Sequence, residues 1–145
     1  MAFDVAYDMK RDFVSCRVVD NLVFCSGYGG TDWKAGKALK GVEAQAEMAF
    51  SKLSLALEAA GTSTKNIVQM YVFMKDAKFR KAIHQVLNKY IPEPRPPQFH
   101  PVTPAMGLTF EVVCIAVRPK GAPAPKPVAK SPPSPPNAEY EERGE

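Results

Sequence analysis

Two side chains in EPRPPQFHPVTPAMGLTFEV, residues 93–112, have the types for joint chemistry: Arg95 and Glu111. The planar fork of a guanidinium binds a carboxylate through two parallel hydrogen bonds. A carboxylate in an otherwise apolar strand is costly unless it faces a polar cleft or a partner. One group would grip an acidic substrate while the other worked on it as acid or base. The competing readings are an exposed arginine in a stiff proline loop and a glutamate that is edge-facing or salt-bridged. His84 is a third candidate, an imidazole able to exchange protons near neutral pH, against the plainer role of a surface or packing residue. No Ser-His-Asp or Cys-His arrangement can be read from the spacing. Cys16, Cys25 and Cys114 lie in apolar runs with no CxxC. They read as reduced, buried thiols, and no metal site is expected.

The elements that must position these groups follow from periodicity. SCRVVDNLVFCSG alternates and breaks at Asp20-Asn21, which predicts a hairpin of strands near 15–19 and 22–27. GYGGTDWKAGKALKG reads as a glycine-rich loop that lets the backbone come close to a ligand or a neighbouring chain; it lacks the spacing of a nucleotide loop. In VEAQAEMAFSKLSLALEAAG the apolar positions fall at helical spacing, with Glu43, Glu47, Lys52 and Glu58 on the opposite side and Gly61 as the stop. NIVQMYVFMKD predicts a strand over 67–74, and AKFRKAIHQVLNKYI a second helix closed by Pro92. LTFEVVCIAV is apolar on both sides and should be a central strand. The order is β-β-α-β-α-β, with both helices on one face of a mixed sheet. The other face, carrying Val23, Tyr71, Phe73 and Val113 or their alternates, is left bare and predicts oligomerisation.

Composition bounds the rest. The 145 residues suggest one domain, placed at 1–118. From Pro119 onward, PKGAPAPKPVAKSPPSPPNAEYEERGE has little to bury and should be a semi-extended, disordered tail, residues 119–145. The formal charge of +4 is modest, and the tail's charges cancel. No basic run with interleaved aromatics occurs, so nucleic acid is not expected as a partner. No apolar leader or membrane-length stretch is evident, which points to a protein of the cytoplasm with no membrane partner.

VVDNLVFCSGYGG, the helix ending LEAAG, NIVQMYVFMKD and GLTFEVVCIAV, in that order over residues 13–118, resemble the Rid (YjgF-type) family. The resemblance implies an α+β, chorismate-mutase-like fold and a homotrimer whose sheets close into a barrel, with sites in the clefts between subunits. It implies no cofactor and a small-molecule substrate bearing a carboxylate. Many members hydrolyse reactive enamines and imines to 2-oxo acids and ammonia; others are described as ribonucleases or translation inhibitors.

On this resemblance Glu111 corresponds to the glutamate that guides the attacking water. Arg95 stands for the family's anchor but lies one residue early, with Pro96 at the expected place. A one-residue shift in extended chain turns a side chain to the opposite side. His84 falls where many members carry an asparagine. Phe13 replaces a common tyrosine, and Tyr28 restores a phenol from a nearby direction. Ser26 and Gly30 shape the pocket floor. Gln98, Phe99 and His100 change the pocket's size and polarity, and Trp33 either helps to close it or packs nearby. The leading expectation is an imine deaminase. The alternatives are another reaction on the same fold, such as a cyclisation or isomerisation, and a non-catalytic metabolite-binding trimer. Ribonuclease activity ranks last, for want of paired histidines.

Overall fold

The computed structural model describes residues 2–6, 14–104, 106–128 and 131–142. Strands β1 (Ala2–Val5), β2 (Cys16–Val19) and β3 (Leu22–Cys25) form an antiparallel meander. The turn between β2 and β3 is made at Asp20, whose φ of 54° is the left-handed conformation that aspartate tolerates. Short strands β4 (Tyr28–Gly29), β5 (Thr31–Asp32) and β6 (Lys37–Ala38) occupy the glycine-rich loop. Helix α1 (Val42–Ala59), strand β7 (Ile67–Met74), helix α2 (Arg80–Tyr90), strand β8 (Gln98–Phe99) and strand β9 (Phe110–Val117) complete the order. The main sheet runs β1-β2-β3-β9-β7-β8, with β4 also paired to β9. All its pairings are antiparallel except β7 with β8, so the sheet is mixed, and β9 is central as expected.

Alternation decides what each face carries. On β9, Phe110, Val112, Cys114 and Ala116 are buried, whereas Glu111, Val113, Ile115 and Val117 are only half-buried. Strand β7 repeats the pattern, with Met70, Val72 and Met74 buried and Tyr71 and Phe73 half-buried. The buried set meets Ala46, Ala49, Phe50, Leu53 and Leu57 of α1 and Ile83 and Leu87 of α2 in one core. Phe50 packs against Tyr90 and Phe110, with ring centroids 5.7 and 6.2 Å away. Glu47 joins the helices, accepting from the Tyr90 hydroxyl at 2.9 Å and pairing with Lys89.

Two expectations need correction. Val23 is buried on the helix side, and the exposed Leu22 and Phe24 take the bare face instead. The register is the reason: Phe24 pairs with Ile115, and Val23 with Ala116. Lys52 is not on the solvent side of α1 but 1% exposed, its ammonium donating to Thr31 O at 2.9 Å and lying 4.4 Å from the Trp33 ring centroid. A long stem lets it reach a carbonyl and an aromatic face from inside the helix packing.

The C-terminal segment makes contacts of its own with the domain. Its described residues lie along the domain as an extended strap. The Lys126 amide donates to Ala59 O at 2.8 Å, the Val128 amide to Ala6 O at 2.7 Å, and Val128 is 4% exposed. Further on, Lys40 N donates to Glu139 O and Glu141 N to Ala38 O, with Tyr140 bridged to Leu39, so the strap extends the β5–β6 hairpin. Apolar side chains are few, but strap amides find acceptors at Ala59, at Ala6 and, on the hairpin, at Ala38. Its prolines carry no N–H to satisfy and lose little backbone freedom on ordering.

Burying an aromatic side chain contributes about 1.5–3 kcal/mol, and removing it leaves a cavity besides. Phe50→Ala should lower the unfolding free energy by about 3–5 kcal/mol in a denaturant titration.

Candidate functional site

Glu111 lies at the centre of the bare face. Its neighbours across the sheet are Gly29 of β4 and Phe73 of β7. The carboxylate folds over the backbone of the glycine loop: a Cβ on Gly27 would fall 1.4 Å from Glu111 Oε1. Any side chain there would occupy the carboxylate's own space, which is why the loop needs glycine at 27. Glu111 is half-buried, and among the described residues its carboxylate has no hydrogen-bond or ion-pair partner. A half-buried carboxylate that keeps its accepting capacity is able to hold and orient a water molecule or a protonated nitrogen.

The wall beside it is aromatic. Phe73 is next to Tyr71 with centroids 6.1 Å apart, and Tyr71 stacks on Phe99 at 5.0 Å. Phe99 is 49% exposed and faces the same side as Glu111, because β8 pairs Phe99 with Tyr71 and Gln98 with Met70. The structure therefore brings Glu111, the glycine loop and Phe99 to one surface.

Other candidate residues lie elsewhere. Tyr28 is fully buried, and its hydroxyl donates to Ser15 O at 2.6 Å. It pairs with Val112 on the helix side, one pleat away from Glu111's row, so it is a core tyrosine and not a wall of the site. Gly30 is covered by α1: a Cβ there would lie 2.2 Å from Gln45 Cβ, so the close approach it permits is to a helix of the same chain. Ser26 donates its hydroxyl to Ser15 O at 3.1 Å. Trp33 packs against the core with Tyr28, 6.5 Å between centroids. Phe13 lies outside the described residues.

Arg95 and Glu111 do not meet within the chain. Arg95 precedes β8, and β7 stands between β8 and β9. Adjacent strands are ~4.8 Å apart, so roughly 10 Å separates the backbones across the sheet alone. The guanidinium is paired through Nη1 with Glu93, two residues back, and its Nε is buried with no partner among the described residues.

His84 gains a partner that the sequence reading did not find. Its Nε2 lies 3.0 Å from Nε2 of His100, 16 positions away, so the chain does contain paired histidines. His100 Nε2 is also 3.1 Å from Gln98 Oε1. An amide oxygen only accepts, so the contact with Gln98 is a hydrogen bond in the tautomer of His100 that carries its proton on Nε2, the atom that also faces His84. Both imidazoles titrate below the ordinary value: His84 through burial, then His100, Arg80 and Arg95; His100 through burial, then Arg80. The cluster sits where α2 meets the β8 segment. Its one foreshadowing in the sequence was the unusual Gln98-Phe99-His100 run, because pairing of the two histidines depends on how α2 packs.

The family model for endoribonuclease L-PSP matches residues 5–118 of this chain. The chain belongs to that family. Reactive Intermediate Deaminase A, chloroplastic, of Arabidopsis thaliana is 30% identical over 100 residues, 67% of this chain and 54% of that protein. A RutC family protein of Aquifex aeolicus is 29% identical over 72 residues, 50% of this chain and 58% of the relative. The chain thus spans little more than half the length of these curated relatives. Among solved structures, RidA from an Antarctic Psychrobacter superposes with a TM-score of 0.71 at 26% identity, covering 79% of this chain and 95% of that one. Yeast Mmf1 gives 0.74 at 21% identity, covering 82% and 100%, which shows the fold. The Rid resemblance and the chorismate-mutase-like α+β fold expected from it both stand. Among the described residues no helix is long and apolar enough to cross a membrane.

The histidine pair has a pH signature. Groups whose folded pKa is depressed contribute stability that is complete above the unfolded value and lost as pH falls through the folded one. Protonating both rings also leaves no acceptor between the two Nε2 atoms. The imidazole resonances of His84 and His100 should therefore titrate below 6.5, and melting temperature should fall below that pH. His84→Asn should flatten this part of the melting profile.

Proposed function

We propose that this L-PSP family chain is a small-molecule hydrolase of the enamine/imine deaminase kind, acting without a cofactor. The observation that carries the reading is the Glu111 carboxylate, seated over Gly27 and unpartnered among the described residues. In the reaction, water adds to the C=N carbon, Glu111 orients that water, takes its proton and returns it to the nitrogen, and the C–N bond breaks as the C=O bond forms, releasing ammonia. A 2-oxo acid remains. The name of the Arabidopsis relative supports the class of reaction.

The site is completed by assembly. Leu22, Phe24 and Phe99 are 37%, 42% and 49% exposed on the same face as Tyr71, Phe73 and Glu111. Exposed apolar surface of this kind marks an interface, and the reading is a homotrimer joined through these bare faces. Arg95 and Glu111 are two strands apart in one chain, so Arg95 serves as carboxylate anchor only across a boundary between copies.

One observation favours a second reading, a non-catalytic trimer that binds a metabolite in the same cleft: Arg95 is already paired with Glu93. The family name includes an endoribonuclease, and the chain has two adjacent histidines, but these contact each other directly at 3.0 Å with no space for a phosphodiester between them.

Ammonia release from enzymatically generated 2-aminoacrylate decides between the readings. The native chain should be active and Glu111→Gln should lose about a hundredfold or more in kcat. Arg95→Ala should raise KM by roughly one to two orders of magnitude if it anchors a carboxylate. Inactivity of the native chain, with saturable binding of a 2-oxo acid, would establish the non-catalytic reading. Phe24→Asp should convert a trimer to monomers by light scattering, with melting of the isolated domain little changed.

A further inference from the structure

The three cysteines of the chain fall on three strands that stand side by side in the sheet: Cys16 on β2, Cys25 on β3 and Cys114 on β9. They are 1%, 8% and 1% exposed, and all are free thiols. Cys16 and Cys25 are partners in the hairpin register, with their Sγ atoms 3.0 Å apart. Phe24 pairs with Ile115, so the next step along β3 brings Cys25 alongside Cys114.

Hairpin geometry decides what such a pair can do. Val19 and Leu22 close a two-residue turn, so they are a hydrogen-bonded pair, and the pattern alternates from there. Arg17 with Phe24 is therefore hydrogen-bonded and Cys16 with Cys25 is not. Ser15 with Ser26 is bonded again, and the Ser26 amide does donate to Ser15 O at 3.0 Å. At a pair without hydrogen bonds the Cα atoms are about 4.5 Å apart. That is within the span of about 4.4–6.8 Å that a disulfide bridges. Both cysteines are buried on the helix side, while Arg17 and Phe24 between them are exposed on the other. We propose that Cys16 and Cys25 are a redox modification site, a dithiol that hydrogen peroxide converts to an intrachain disulfide without unfolding the hairpin.

Cys25, the more exposed of the two, reacts first. Its sulfur attacks the peroxide, the O–O bond breaks, and a sulfenic acid and one water form. Cys16 Sγ then attacks the sulfenic sulfur, the S–O bond breaks, and the disulfide forms as a second water leaves. The two thiols give up two electrons and two protons, and the peroxide takes up both. Cys114 and Cys16 beside it, and then burial, push the Cys25 thiol well above its ordinary value. The thiolate is the reactive form, so the pair rests as the dithiol and closes slowly.

The bond lies at the root of the glycine loop. Ser15 O, next to Cys16, accepts from the Ser26 amide, the Ser26 hydroxyl and the Tyr28 hydroxyl. Gly27, two residues beyond Cys25, is where the Glu111 carboxylate lies. Linking Cys16 to Cys25 holds that root closed, whatever reaction the domain performs.

Thiol mapping on the full native chain tests the proposal. The folded protein is treated with excess hydrogen peroxide, quenched with catalase, alkylated with N-ethylmaleimide in denaturant and digested with trypsin, which cuts at Arg17 between the two cysteines. The expected product joins the Cys16 peptide to the Cys25 peptide and leaves Cys114 alkylated, and dithiothreitol restores three alkylated cysteines. A bond to Cys114 would overturn the proposal. So would three alkylated thiols after a day in peroxide, or oxidation to sulfinic acid with no bond formed. Amide exchange by NMR gives a second readout. In the oxidised chain the Ser26 amide should exchange about tenfold more slowly or slower still, from the constraint a disulfide places on the open state. Equal exchange at Ser26 in the two forms would overturn the link to the glycine loop.

Discussion

Strand β9 turns one face into the core beneath the helices, among the described residues no helix covers the other, and its pleat forces successive side chains to opposite sides. Phe110 and Val112 must be buried among Phe50 and its neighbours, which leaves Glu111 no direction except the bare face. Shifting the strand by one residue would drive a carboxylate into the core and expose two large apolar side chains. The hydrophobic effect thus fixes the position of the one polar side chain on this strand. The same alternation on β7 and β8 sets Phe73, Tyr71 and Phe99 beside it.

A single stretch of loop, residues 27–32, connects three events that would otherwise be separate. Gly27 makes room for the Glu111 carboxylate, and Gly30 makes room for Gln45 and the start of α1. Asp32 then holds the strap. Backbone that can approach a carboxylate, a helix and a neighbouring segment within six residues has to be short of side chains at particular points. The glycine content of this loop is therefore a packing requirement of the domain before it is a feature of a pocket. That accounts for the distinction between Gly27, which borders the bare face, and Gly30, which does not.

Elements with a strong repeat were readable in the linear chain. The strand over 67–74, both helices, the hairpin turn at Asp20 and the central strand with Glu111 all follow from local alternation or helical spacing, which report burial directly. Residues whose role depends on distant packing were not. Tyr28 read as a pocket phenol because its position beside Ser26-Gly27 is local information, whereas its pairing with Val112 is not. Lys52 read as exposed because it is charged, although a carbonyl and an indole from the glycine loop were waiting for it.

By itself the sequence determined the order of elements, the two-faced sheet and the presence of an acid on its central strand, because these arise from side-chain periodicity along one element. The tertiary structure alone decided that His84 meets His100, that β7 stands between the strand after Arg95 and the strand of Glu111, and that the strap closes on Asp32. Each of those depends on a distance between segments far apart in the chain. Such distances are set by how helices and strands pack against one another, which no local pattern of residues encodes.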